Sequence, residues 1–228
     1  MQIESNTGLI PVYMMPGMAA KASIFEYISL DPNRFEVIYL TWKLPTKNER
    51  LEDYAQRMCE DVIHQNPVLI GVSFGGILVQ EMAKLIDVRQ VIIISSLKSY
   101  HELPTRMKFA RKTNAFKVLP TSLINYMEQL DHLPLGKSFK KRLQLYKKYM
   151  FLSDKYYLDW SIENIVSWKQ KQAPKGIVHI HGDADLVFPL EHIENCHVVP
   201  GGTHIMIINK YRWFNKHLPN FITYGNQK

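Results

Sequence analysis

Two kinds of hydrophobic pattern take turns along this chain. Residues 9–15, 35–40, 68–72, 91–94, 177–180 and 196–199 are short runs rich in apolar and β-branched side chains. Most are continuous rather than alternating, as in strands covered on both faces of a parallel sheet. Between the runs, apolar residues recur every three or four positions. Leu51, Tyr54, Ala55, Met58 and Val62 predict an amphipathic helix over about 49–65. Ile77, Leu78 and Met82 predict one over 75–86, and Ile24, Tyr27 and Ile28 one over 20–30. A short helix is expected near Leu190 and a last one over about 203–217. Six strands joined by crossover helices predict an α/β fold with a doubly wound, mostly parallel sheet.

Residues 98–172 break the alternation. They hold no strand-like run and at least three helical stretches, near 103–112, 121–131 and 138–170. So long a segment is more than a connection. It reads as a helical cap inserted over one edge of the sheet, with 1–97 and 173–228 forming the core domain.

Composition narrows the class. The chain has 228 residues, 46% of them hydrophobic and 21% charged, which suits one folded domain and excludes disorder or collagen-like repeats. Two cysteines, Cys59 and Cys196, are too few for a disulfide scaffold or a four-thiolate zinc site. They are expected to be buried thiols in a reducing compartment. The N-terminus lacks the basic head and apolar stretch of a signal peptide, and the longest uncharged apolar run, 68–80, is too short to span a bilayer. A cytoplasmic protein without a membrane partner is the expectation. No phosphate loop, dinucleotide fingerprint or metal-ligand cluster is present in the sequence, so neither cofactor nor metal is implied.

The strongest chemical signal is Gly71-Val72-Ser73-Phe74-Gly75. Gly-x-Ser-x-Gly would arise by chance on the order of 0.07 times in a chain this long, so its context matters more than its letters. It sits where a buried strand ends and an apolar helix begins, the setting of a nucleophile elbow. There a sharp turn lifts the serine oxygen out of the sheet and the helix N-terminus favours developing negative charge. The bland alternative is a serine that merely caps a helix. A nucleophilic serine needs a base, and the base an orienting acid. After the run 177–180 comes His181-Gly182-Asp183-Ala184-Asp185-Leu186-Val187-Phe188-Pro189, and after 196–199 comes Pro200-Gly201-Gly202-Thr203-His204. An acid and a histidine thus follow successive strands, in the order Ser, Asp, His.

With these motifs the sequence resembles the α/β-hydrolase superfamily, in a trimmed version with few residues before the first strand. The resemblance covers about 8–97 and 173–217 and leaves the insert unplaced. It implies Ser73 as nucleophile, His204 as base and Asp185, rather than the loop-stabilising Asp183, as the acid. It also implies an oxyanion hole of two backbone N–H groups, those of Phe74 and, within one residue, Met18 in the Pro16-Gly17 loop. The activity implied is that of a carboxylesterase-like or thioesterase-like serine hydrolase, cleaving a small ester through an acyl-enzyme. The alternative is a small-ligand receptor or carrier on the same scaffold with little or no turnover.

Charge then locates the remaining question. Lys plus Arg is 28 and Asp plus Glu is 21, a formal +7. The insert alone has 15 basic and 6 acidic residues, a net +9, while the rest of the chain is slightly acidic. Twelve of the 26 aromatic residues are also in the insert, with Tyr149 and Trp160 as candidates for substrate contact. The bland reading is a solvated basic helix face; the sharper one is an anionic ester substrate. Nucleic acid is not expected, since no recognition motif accompanies the charge.

Overall fold

A computed structural model describes residues 8–114, 148–150 and 154–226. The apolar runs form strands β1 (Ile10–Met15), β2 (Phe35–Tyr39), β3 (Val68–Val72), β4 (Gln90–Ile94), β5 (Val178–Gly182) and β6 (His197–Val199). They lie in one sheet in the order β2-β1-β3-β4-β5-β6, every neighbouring pair parallel. The chain runs from β1 outward to β2, then crosses back to β3 and on to β6. Its direction of winding therefore reverses between β1 and β3, and the crevice outside their carboxyl ends is where such sheets bind ligands.

Successive strand residues point to opposite faces, and both faces are covered. Tyr13, Met15, Leu69 and Ile93 pack against helices α1 (Leu51–Cys59), α2 (Phe74–Met82) and α4 (Lys155–Ser167), the last of these following α3 (Thr105–Thr113) in the insert. Val12, Met14, Val68, Ile70, Ile92 and Ile94 pack against Phe25 and the apolar face of α6 (Tyr211–Tyr224), which follows the single-turn α5 (Met206–Asn209). All five residues of β3 are buried, which explains its unbroken apolar run.

Three helices differ from expectation. Over 20–30 only a 3-10 turn forms, at Ala22–Phe25. The backbone there finds partners elsewhere: Lys21 N–H donates to the Tyr149 carbonyl and Ser29 N–H to Asn215 Oδ1. The helix expected to reach 65 ends at Cys59, the next turn tightens through Asp61 and Val62 N–H to the carbonyls of Met58 and Cys59, and Ile63 N–H is taken by the Tyr13 hydroxyl. The last helix is split into α5 and α6, and α6 runs past Pro219. A proline inside a helix costs about 3 kcal/mol. Burial of Phe214, Leu218 and Ile222, spaced four apart, offsets it at about 1.5–3 kcal/mol each.

Both cysteines are free thiols; Cys59 is buried, whereas Cys196 is only half-buried and precedes β6 rather than lying in it. Within 98–172 the described residues include α3 and α4, which pack on each other. The helical stretch expected at 121–131, and residues 138–147 and 151–153 of the one expected at 138–170, lie outside the described residues. Among those described, no helix is long and apolar enough to cross a membrane.

Candidate active site

Ser73 links β3 directly to α2 and has φ 53° and ψ −120°. A non-glycine residue at positive φ costs on the order of 1–3 kcal/mol and persists only where the surroundings enforce it. Here they do. Ser73 N–H donates to the Ile94 carbonyl at 2.9 Å, and its own carbonyl accepts from Ser96 Oγ at 2.7 Å. The flanking glycines are demanded by close approach. A Cβ on Gly71 would stand 2.3 Å from the Gly75 carbonyl oxygen, and one on Gly75 2.3 Å from the Pro16 carbonyl oxygen. The motif thus lets the elbow, the start of α2 and the loop after β1 pack backbone against backbone.

His204 follows β6 and reaches across to this turn. Its Nε2 lies 2.9 Å from Ser73 Oγ, and its Nδ1 lies 2.9 Å from Asp185 Oδ2. A carboxylate only accepts, so the imidazole proton sits on Nδ1 and leaves Nε2 as acceptor for the serine hydroxyl. Asp185 is 2% exposed, and its Oδ1 accepts the N–H groups of Val187 and Phe188 at 2.8 and 3.0 Å. Burial pushes its pKa up, but the hydrogen bond and charge interaction with His204, together with those N–H groups, outweigh burial and hold it below the usual aspartate range. The Phe188 ring stands edge-on to the imidazole at 5.4 Å. Asp183 accepts Gly201 N–H at 2.7 Å and so ties the Asp185 loop to the loop that carries His204.

A second pair of histidines lies beneath the acid loop. His181 donates from Nε2 to the Phe188 carbonyl at 2.8 Å, and its Nδ1 faces His179 Nε2 at 3.2 Å. Burial, and for His179 the neighbouring His181, holds both below the ordinary histidine pKa. Neither touches Ser73. His64 is likewise engaged elsewhere, with the Tyr13 hydroxyl.

Phe74 opens α2, so its N–H has no carbonyl partner within the helix. The loop after β1 lies alongside: a Cβ on Gly17 would stand 3.6 Å from Ser73 Cβ. The Gly17 carbonyl accepts Trp42 Nε1–H at 2.7 Å and Ala20 N–H at 3.0 Å. In a trans peptide the N–H points opposite to the preceding carbonyl, so Met18 N–H points away from Trp42. Ala19 follows at φ 58°, its N–H donating to the Tyr157 hydroxyl at 3.0 Å.

Ser73 and His204 open on a cavity of about 480 Å³. Its walls are apolar, with Ile162, Ile165 and Val166 from α4 and Ile205 and Ile207 beside His204; Met18 and Tyr149 also line it. Trp160 does not, which corrects the expectation that it meets substrate. At about 100° per residue, it lies on the side of α4 opposite Ile162, Ile165 and Val166. It packs on Tyr54 at 4.7 Å and Phe74 at 5.8 Å, and its Nε1–H donates to the Glu49 carbonyl.

Sequence reasoning passed over Trp42, Tyr157, Ser96 and Arg106, whose guanidinium donates to the Leu186 and Val187 carbonyls of the acid loop. Only Trp42 carried a signal, as a large aromatic in the loop after β2, at the same sheet edge as the elbow. Among the described residues no group of His, Cys, Asp and Glu could hold a metal ion.

A sequence model of UPF0227, described as an uncharacterised protein family, matches residues 15–145. No curated protein matches the chain in sequence. Similar solved structures include a thermophilic esterase from Thermogutta terrifontis, at TM-score 0.66 and 13% identity, covering 96% of this chain and 91% of that one. Another is the N-acyl homoserine lactonase AidH with N-hexanoyl homoserine, at TM-score 0.63 and 16% identity, covering 98% and 92%. A carboxylesterase structure from Nitrososphaera gargenis follows at 0.61 and 17%, covering 96% and 91%.

Proposed function

Because the chain belongs to the family UPF0227 and has the α/β-hydrolase fold, we propose that it is a serine hydrolase of small carboxylic esters or thioesters. One observation carries the reading: Ser73, His204 and Asp185 form a continuous hydrogen-bonded series that ends on an apolar cavity. The similar structures named as esterases and a lactonase act on ester bonds, which agrees with it.

In the proposed reaction Ser73 Oγ attacks the acyl carbon while its proton passes to His204 Nε2, and Asp185 holds the Nδ1 tautomer and stabilises the imidazolium. Phe74 and Met18 N–H groups receive the oxyanion, each worth about 100- to 1000-fold when well placed. His204 returns the proton to the departing alcohol or thiol. Water then attacks the acyl-enzyme with His204 again as base, releasing the acid and restoring Ser73.

The cavity walls favour an uncharged aliphatic acyl group. Among the described residues no Lys or Arg lines the cavity. Several basic side chains of the insert are engaged elsewhere: Lys98 with the Glu194 and Asn195 carbonyls, Arg111 with that of Trp168 and Lys148 with Glu26. An anionic ester is therefore the weaker form of the proposal.

The test is turnover of p-nitrophenyl hexanoate by the wild type and by Ser73→Ala, with fluorophosphonate labelling of both. The expected result is loss of activity by about 10⁴-fold or more and of labelling in the variant, with thermal unfolding unchanged. A wild type that neither turns over nor labels would instead favour a ligand carrier, and a fully active Ser73→Ala would sink the nucleophile assignment.

A further inference from the structure

We propose that Trp42 and Tyr157 are positioning residues for the oxyanion site: Trp42 orients the Gly17–Met18 peptide against the elbow, and Tyr157 holds the next residue, Ala19, in its left-handed conformation. The inference rests on the reading above, with Ser73 as nucleophile and Met18 N–H as an oxyanion donor.

Trp42 touches both halves of that site. Its Nε1–H donates to the Gly17 carbonyl at 2.7 Å, and its ring stacks on Phe74 at 5.0 Å with 7° between planes. Because the Met18 N–H is antiparallel to the Gly17 carbonyl, the atom that anchors the carbonyl also aims the N–H. Trp42 is 4% exposed, so solvent does not compete for its donor.

Tyr157 completes the clamp from the insert. Its hydroxyl accepts Ala19 N–H at 3.0 Å, and its ring lies edge-on to Trp42 at 5.6 Å. Ala19 is fully buried at φ 58°, where a side chain is disfavoured. Without the hydroxyl its N–H would be buried with no acceptor, and the loop would relax to find one. Tyr157 is itself held from both ends: its N–H donates to Asp154 Oδ1 at 2.8 Å, and it is fully buried. The insert grips the same loop at two further points. Lys21 N–H donates to the Tyr149 carbonyl, and Ala20 forms an antiparallel bridge with Met150. The oxyanion loop is thereby referenced to the insert on one side and to the β2–α1 loop on the other. Neither residue reaches the cavity, so their effect is on the placement of donors, not on substrate contact.

Tyr157→Phe removes one acceptor and keeps the ring; Trp42→Phe removes one donor and keeps an aromatic over Phe74. Each variant is assayed on p-nitrophenyl hexanoate with active sites counted by fluorophosphonate labelling. A trifluoromethyl ketone of similar chain length, whose adduct with Ser73 bears an oxyanion, is the second readout. A misplaced donor is expected to lower kcat per active site about 10-fold, to leave KM within about twofold, and to raise the ketone's inhibition constant by the same factor as kcat falls. Unchanged kcat in folded Tyr157→Phe, or a KM increase with ketone affinity unchanged, overturns the proposal. If Tyr157→Phe does not fold, the same criteria applied to Trp42→Phe decide it. An inactive wild type would overturn the nucleophile reading and this proposal with it, whereas an active wild type beside indifferent variants overturns this proposal alone.

Discussion

At the scale of single residues, two aspartates two positions apart do different work. Asp185 is buried, accepts two backbone N–H groups and faces His204 Nδ1. Asp183 is exposed and spends one oxygen on Gly201 N–H. Asp185→Asn can present an amide N–H to Nδ1 and so favour the wrong imidazole tautomer; kcat on p-nitrophenyl hexanoate is expected to fall about 10⁴-fold. Asp183→Ala is expected to keep kcat within about fivefold, because its loss loosens a loop contact without touching the imidazole. Equal losses in the two variants would count against this division of labour. Ser73, Asp185 and His204, which lie within hydrogen-bond distance of one another in series, stand out in the sequence because each follows a strand, at the edge of the sheet where strands end. Trp42 and Tyr157 do not, since their contacts with Gly17 and Ala19 span 25 and 138 positions and leave no local pattern.

At the scale of elements, the elbow is a packing problem as much as a chemical one. A helix interior prefers Ala to Gly by about 1 kcal/mol, yet a Cβ on Gly75 would meet the Pro16 and Met15 carbonyl oxygens at 2.3 and 2.7 Å. Backbone cannot give way as a flexible side chain can, so overpacking should dominate. Gly75→Ala is expected to lower stability by about 1–3 kcal/mol in urea unfolding and to lose activity as the first loop is pushed from Ser73. Gly17→Ala, whose Cβ would make ordinary 3.6 Å contacts, is the comparison and should stay near wild-type stability. A Gly75→Ala protein as stable as the wild type would show that the loop yields. The central strands β1, β3, β4 and β5 were legible because burial on both faces writes a continuous apolar run. The partly exposed edge strands β2 and β6 were legible because their short runs are rich in β-branched and aromatic residues. Helices were legible where apolar residues recur at helical spacing, as one stripe in α1 and on a helix buried all round in α2. The 20–30 segment was not, because its backbone partners, Tyr149 and Asn215, lie far along the chain. The last helix was expected only to about 217, and the burial of Leu218 and Ile222 carries α6 past Pro219.

At the scale of the whole molecule, titration beneath the acid loop is expected to couple to folding. The +7 of the chain comes from the insert, and protonating histidines adds to an already positive protein. Most of that repulsion is shared over the surface, but His179 and His181 are buried and their pKa values are lowered on folding. The unfolded chain, with ordinary values near about 6.5, therefore takes up these protons first as pH falls. Stability is complete above about pH 6.5 and declines below it until the folded pKa values are reached. Each histidine contributes a slope of at most about 1.4 kcal/mol per pH unit. Asp185 has the opposite window: its depressed carboxyl stabilises the fold above the ordinary aspartate pKa of about 3.9 and loses that contribution only in more acidic solution. Between pH 7.5 and 5.5 the histidine pair should thus dominate. The urea midpoint is expected to fall across that interval, and to fall less in His179→Asn, which removes one of the two buried imidazoles whose pKa is lowered on folding. General charge repulsion would act on both proteins alike, so parallel pH profiles for wild type and variant would refute the assignment to the buried pair.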